Sequence, residues 1–379
     1  MTAQQVHEGL ADVLVARTEL SEVDGERGQL SLRAHLIESL VSTVPFEGVL
    51  GLLLDGALPS AERLSELRLE LGHARLRAHE RLGCGSPSWA VSSCFAAVAA
   101  PDAMSTLRSA LSLLPSDATP ADLLGMAAVA SAAWIRRARG GQLPAPRPGL
   151  PHALDLQRML SGGVASEGAA RLLDAYLVTV AEHGFNASTF AARVTASTGA
   201  DLVAAAVAGV AALSGPLHGG APGPVLDMLD AVGSAERAPA YVQAELAAGR
   251  RIMGMGHRVY RVRDPRAFVL ERALRAYQQE AGGSERLALA RALEAAAEAE
   301  LSRRYPGRAL RANVEFYTAL VLDALDVPRA AFTAIFACAR LAGYAAHYAE
   351  QRRTGRLIRP SALYVGPRAA ASLAVSAPG

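Results

Sequence analysis

The 379-residue chain contains no lysine; its 38 basic side chains besides histidine are all arginine. Set against 36 acidic residues they leave a formal net charge of +2, which argues against a broad nucleic-acid-binding face. Arginine suits two-pronged binding of carboxylate or phosphate, but 38 arginines cannot all be ligands, and the base composition of the source genome accounts for most of them. Cysteine is scarce. Cys84, Cys94 and Cys338 are odd in number, widely spaced and without a C-x-x-C pair, so neither a disulfide framework nor a metal site is expected, and each reads as a small core residue. The N-terminus lacks a charged-then-apolar signal pattern. The most apolar run, Leu202 to Leu213, is too short and too alanine-rich to span a bilayer. A cytoplasmic protein with no membrane partner is the expectation.

Hydrophobic residues make up 51% of the chain, enough for a large core and for two domains. Helical periodicity dominates. Ala170, Leu173, Tyr176, Leu177 and Val180 recur at helical spacing behind Ser166 and Glu167. Asp201 is placed to cap the run to Leu213, which is apolar all round and reads as buried. Leu287 to Arg303 reads as a half-exposed helix, and Ala331 to Arg353 as a long one that Gly355 can end. Strand signals are confined to residues 20–34, where Asp24-Gly25 between short alternations predicts a small hairpin. The fold class is therefore all-α with a minor β element. The Gly140–Gly149 stretch reads equally as a linker or as a surface crossover. Ala221-Pro222-Gly223-Pro224 has the composition of a hinge.

Two glycine-framed histidines stand out. His218 lies in Gly215-Pro216-Leu217-His218-Gly219-Gly220, and a neutral imidazole so placed can donate to a developing oxyanion. His257 lies in Gly254-Met255-Gly256-His257-Arg258-Val259-Tyr260, followed by Arg261 and by Asp264-Pro265-Arg266. A histidine beside arginines suits a carbonyl next to a carboxylate. Glu315, in Asn313-Val314-Glu315-Phe316-Tyr317, is either a first-turn partner of a helix dipole or a base in their company. Asn186 is placed to cap the helix after it.

Together these segments resemble the citrate synthase family. Residues 215–221, 254–266 and 313–317 occur in the family's order, joined by His183-Gly184-Phe185-Asn186 and by Ile358-Arg359-Pro360. The resemblance implies a two-domain, all-helical homodimer, with a large domain of 1–221 and 323–379 and a small domain of 222–322 that closes over the site. It implies that oxaloacetate is held by His183, His257, Arg266 and Arg340, that Phe336 lines that pocket, and that Arg359 reaches in from the partner subunit. It also implies that His218 bonds the thioester oxygen of acetyl-CoA, that Arg261 contacts a coenzyme A phosphate, and that the acid at 315 removes a methyl proton, with His257 assisting attack on the ketone. Acetyl-CoA, or propionyl-CoA in a 2-methylcitrate synthase, would be a co-substrate, with no permanently bound cofactor and no metal.

Three positions depart from the family pattern. The base is Glu315 where the family has aspartate, Pro222-Gly223 stands where Asn-Glu is usual, and Val180 replaces a second histidine. An extra methylene shifts a carboxylate by about 1 Å, enough to cost on the order of 100-fold in rate if uncompensated. A homologue that binds CoA or a dicarboxylate without turnover is the alternative of another class.

Overall fold

A computed structural model describes residues 6–10, 13–219, 222–282 and 285–367. The described chain is a stack of helices with one small sheet. Antiparallel strands β1 (Ser21–Asp24) and β2 (Gln29–Leu32) pair Asp24 with Gln29, and β3 (His35–Leu36) adds to β2. The hairpin is where the alternation placed it, but its loop is the four residues 25–28, and β3 is an addition.

The long last helix, Phe332–Thr354, is the centre of the molecule and is buried over nearly its whole length. Helices Pro120–Ala138, Ala187–Ser197, Leu202–Leu213 and Glu167–Val180 all pack on it. Small residues make this crowding feasible. A Cβ on Gly343 would meet the Ala181 carbonyl at 2.6 Å, so only glycine lets the 181–183 turn lie against this helix. Helix Val314–Ala324 packs on Pro265–Ala281, on Pro222–Val232 and on Glu167–Val180.

The helix starts follow from their caps. The side chains of Ser166, Asn186 and Asp201 accept backbone amides of the first turns that follow them, each such cap contributing about 1 kcal/mol. Gly355 ends the last helix, but in extended rather than left-handed geometry.

Two expectations are corrected and one open choice is decided. Pro222, Gly223 and Pro224 open a helix instead of forming a break, because a first turn has no use for the amide hydrogens that proline lacks; Gly220 and Ala221 lie outside the described residues. The 140–149 stretch is a packed crossover. Trp89 donates to Gln142 Oε1 (3.1 Å), Arg136 donates to the Gln142 carbonyl (3.0 Å), and Arg147 donates its amide to buried Asp155 (3.0 Å). Cys84 and Cys338 are buried, whereas Cys94 is exposed.

Candidate active site

The chain turns sharply after helix Glu167–Val180. Glu182 is held inward by Ser21 and His347 (3.0 and 3.1 Å), and Gly184 takes a positive φ of 63°. His183 is thereby turned toward the second half of the site, where its Nε2 lies 3.0 Å from the Tyr260 hydroxyl. Its ring meets that of His257 edge-on, with centroids 5.5 Å apart. Burial, then the charges of Arg266 and Arg340, hold His183 neutral, well below its ordinary pKa.

His257 sits on a loop pinned at several points. Gly254 and Gly256 have φ of 74° and 88°. Gly256 donates to the Arg311 carbonyl (2.7 Å), Asn313 donates its amide to Gly254 (2.9 Å), and its side chain donates to the Gly256 carbonyl (2.8 Å). This binds the His257 segment directly to the segment that leads into Glu315. The His257 Nδ1 accepts the amides of Val259 and Tyr260, both at 3.1 Å. The ring proton of the neutral imidazole is therefore on Nε2, 3.4 Å from Arg266 Nη2. Two donors stand side by side, ready for one oxygen-rich ligand. Burial and Arg266 bring the His257 pKa down to about 4.

Arg266 is buried and is held by both oxygens of Asp264, at 3.0 and 2.8 Å. Arg340, from the central helix, donates Nε to the Val180 carbonyl (2.7 Å) and lies 4.7 Å above the Phe336 ring. Its Nη2 is buried with no partner in the protein. That carbonyl belongs to Val180, one of the three departures, whose side chain is buried. Arg340 is within electrostatic reach of His183, His218 and Glu315 and holds the pKa of each down.

His218 faces the start of helix Ala187–Ser197. The Ser188 amide donates to its Nε2 (3.3 Å), and the Ser188 hydroxyl lies 2.7 Å from the same nitrogen. An amide can only donate, so Nε2 is the acceptor and the ring proton resides on Nδ1. Burial, with Arg340, lowers the His218 pKa to about 4. Glu315 is the second residue of its helix, where the Asn313 side chain accepts its amide at 3.0 Å. It is no solvated dipole partner. Its Oε2 is buried without a hydrogen bond, and burial raises its pKa to about 7 against the opposing charges of Arg266 and Arg340. The cluster therefore holds a carboxylate poised to take a proton, two neutral imidazole donors and two buried guanidiniums.

Two expected residues lie apart. Arg261 is exposed on the His257 loop, its amide bound to the Gly25 carbonyl (2.8 Å). Arg359 is exposed beyond the last helix. It lines a groove of about 880 Å³ with residues of the 13–19 segment and reaches none of the cluster within one chain. Among the described residues no group of His, Cys, Asp or Glu could hold a metal ion, and no helix is long and apolar enough to cross a membrane. The sequence assigned no role to Tyr260, Ser188 or Asp264. Tyr260 and Asp264 lie within the His257 segment, and Ser188 lies in the helix that Asn186 caps.

Comparison with known proteins points to one family. The family model described as "Citrate synthase, C-terminal domain" matches residues 9–361. The citrate synthase of Synechocystis sp. is 37% identical over 381 residues, covering 97% of this chain and 92% of its own. The crystal structure of citrate synthase from Thermotoga maritima superposes with a TM-score of 0.83 at 32% identity, over 97% of this chain and 98% of that one. The Thermoplasma acidophilum citrate synthase, solved as a ternary complex with carboxymethyl coenzyme A and oxaloacetate, superposes with a TM-score of 0.82 at 25% identity, over 98% of this chain and 99% of that one.

Proposed function

The chain belongs to the citrate synthase family, and from that premise we propose that it condenses acetyl-CoA with oxaloacetate and hydrolyses the resulting thioester, releasing citrate and CoA. One observation carries the proposal. Glu315, its Oε2 buried and its pKa at about 7, shares a cluster with two imidazoles that burial keeps neutral and whose tautomers backbone amides fix.

In this reading Arg266 and Arg340 bind the carboxylates of oxaloacetate, with His183 as a neutral partner and Phe336 as the floor beneath Arg340. His218 donates Nδ1–H to the thioester oxygen while Glu315 takes a proton from the adjacent methyl group. Base and oxyanion donor act on a weakly acidic carbon together. The enol carbon attacks the ketone, whose oxygen receives the Nε2–H of His257, giving citryl-CoA. Water then cleaves the thioester. Closure of residues 222–322 over the rest would exclude water until the carbon–carbon bond has formed.

The working unit is a homodimer, in which Arg359 of each chain completes the site of the other. Its exposed place beyond the last helix, apart from its own cluster, supports this. Arg261, exposed on the loop that carries His257, meets a coenzyme A phosphate. The test is release of free CoA thiol from acetyl-CoA or propionyl-CoA with oxaloacetate. Oxaloacetate-dependent release from acetyl-CoA supports the proposal. Faster release from propionyl-CoA would make the protein a 2-methylcitrate synthase, and none from either would leave a binding protein.

A further inference from the structure

Behind Glu315 lies a set of buried polar atoms that the reaction scheme leaves unused. Thr318 follows Glu315 by one helical turn on Val314–Ala324, so both side chains lie on the same face. Tyr176 comes from Glu167–Val180, one turn before Val180, whose carbonyl holds Arg340. The two helices pack against each other. Tyr176 and Thr318 are fully buried, and Tyr176 Oη, Thr318 Oγ1, Glu315 Oε2 and Arg340 Nη2 all lack hydrogen-bond partners in the protein. The Tyr176 hydroxyl is within electrostatic reach of Glu315 and Arg340 and lies beside the Thr318 hydroxyl. Buried polar atoms are rarely left unpaired, and four from three helices in one place need an explanation.

We propose that Tyr176, backed by Thr318, is a positioning residue for Glu315: its hydroxyl holds Oε2 of the ionised carboxylate, directly or through one water, and leaves Oε1 to the substrate. Tyr176 donates to the carboxylate, and Thr318 donates to Tyr176 or to the same water. This compensates for the methylene by which glutamate exceeds aspartate, because the longer side chain is held at the oxygen that faces the protein. The inference rests on Glu315 being the base, but its test does not depend on turnover.

The groups that face Glu315 are Arg266 with Asp264 from the Pro265–Ala281 segment, Arg340 from the last helix, and Tyr176 from Glu167–Val180. Only Tyr176 would change in a Tyr176→Phe variant, which keeps the ring and the packing. The carboxyl band of Glu315 is followed by infrared difference spectroscopy across pH, with Glu315→Gln identifying the band. Loss of a donor to the ionised form raises the midpoint, here by about one pH unit from its parent value. Thr318→Val raises it less. The acidic limb of kcat moves with the band, while KM for oxaloacetate stays constant. An unchanged or lower midpoint in Tyr176→Phe overturns the proposal; if that variant does not fold, an unchanged midpoint in Thr318→Val does so. A chain without synthase activity would still show the band shift, which separates failure of this inference from failure of the functional reading.

Discussion

Asp264 accepts the backbone amide of Val314 at 3.1 Å with Oδ2, the same oxygen that holds Arg266 Nη2 at 2.8 Å. One buried carboxylate thus fixes the anion-binding arginine and the start of the helix that presents Glu315. Binding of one substrate and positioning of the base for the other are joined at a single side chain.

Asp264→Asn is expected to remove the countercharge of a buried arginine and weaken both contacts. Breaking such a pair from one side costs about 3–5 kcal/mol. Urea unfolding should show a loss of that order, and kcat should fall alongside a rise in KM for oxaloacetate. A change in KM alone, with stability intact, would mean that the bond to Val314 has no structural weight.

A base must be ionised to act. With its pKa at about 7, Glu315 gives an acidic limb centred near pH 7, activity falling tenfold per unit below it. The stability consequence has the opposite sense. The folded pKa lies above the ordinary value of 4.5, so the folded state is favoured below pH 4.5 and loses that advantage as pH rises through about 7. Glu315→Gln does not titrate, and its stability relative to the parent should grow by about 3 kcal/mol over that window. Denaturant unfolding at pH 5 and pH 8 measures the difference.

His218→Ala is expected to lower kcat by about 100- to 1,000-fold, as loss of an oxyanion donor does elsewhere. Ser188→Ala removes the hydroxyl but keeps the amide that fixes the tautomer, so its loss should be much smaller. Steady-state kinetics on both variants would decide. Equal losses would place the tautomer under the control of the hydroxyl.

The hairpin turn bears directly on the His257 loop. A Cβ on Gly25 would lie 2.3 Å from the Val259 carbonyl oxygen, and the Gly25 carbonyl accepts the Arg261 amide. Gly25→Ala should displace the loop, cost about 1–3 kcal/mol of stability and raise KM for oxaloacetate. Thermal unfolding and kinetics together test this; a variant with parental KM would show that the loop holds its shape without the hairpin.

The local features of this fold were legible in the sequence because their causes are local. Asp201 and Asn186 cap the helices they precede, and the Asp24-Gly25 alternation forms its hairpin. The rings of His183 and His257, from two of the motifs singled out, also meet. The bonds that make the cluster work join segments far apart in the chain: Ser188 with His218, Asp264 with Val314, His183 with Tyr260. No periodicity encodes such pairs, since they depend on how helices dock. Cys94 and Pro222 show the same limit from the other side. Composition made one a core residue and gave the other the look of a hinge, and the surrounding structure exposed the first and began a helix at the second.

The central claim is that Glu315 enolises the thioester. Its most direct test is deuterium incorporation into the methyl group of acetyl-CoA in D2O, in the presence of malate, a dicarboxylate that can fill the oxaloacetate site but cannot condense, followed by mass spectrometry for the parent and Glu315→Gln. The account predicts exchange with the parent protein and background exchange with the variant. Equal exchange in the two proteins would contradict it and assign the proton transfer to another group.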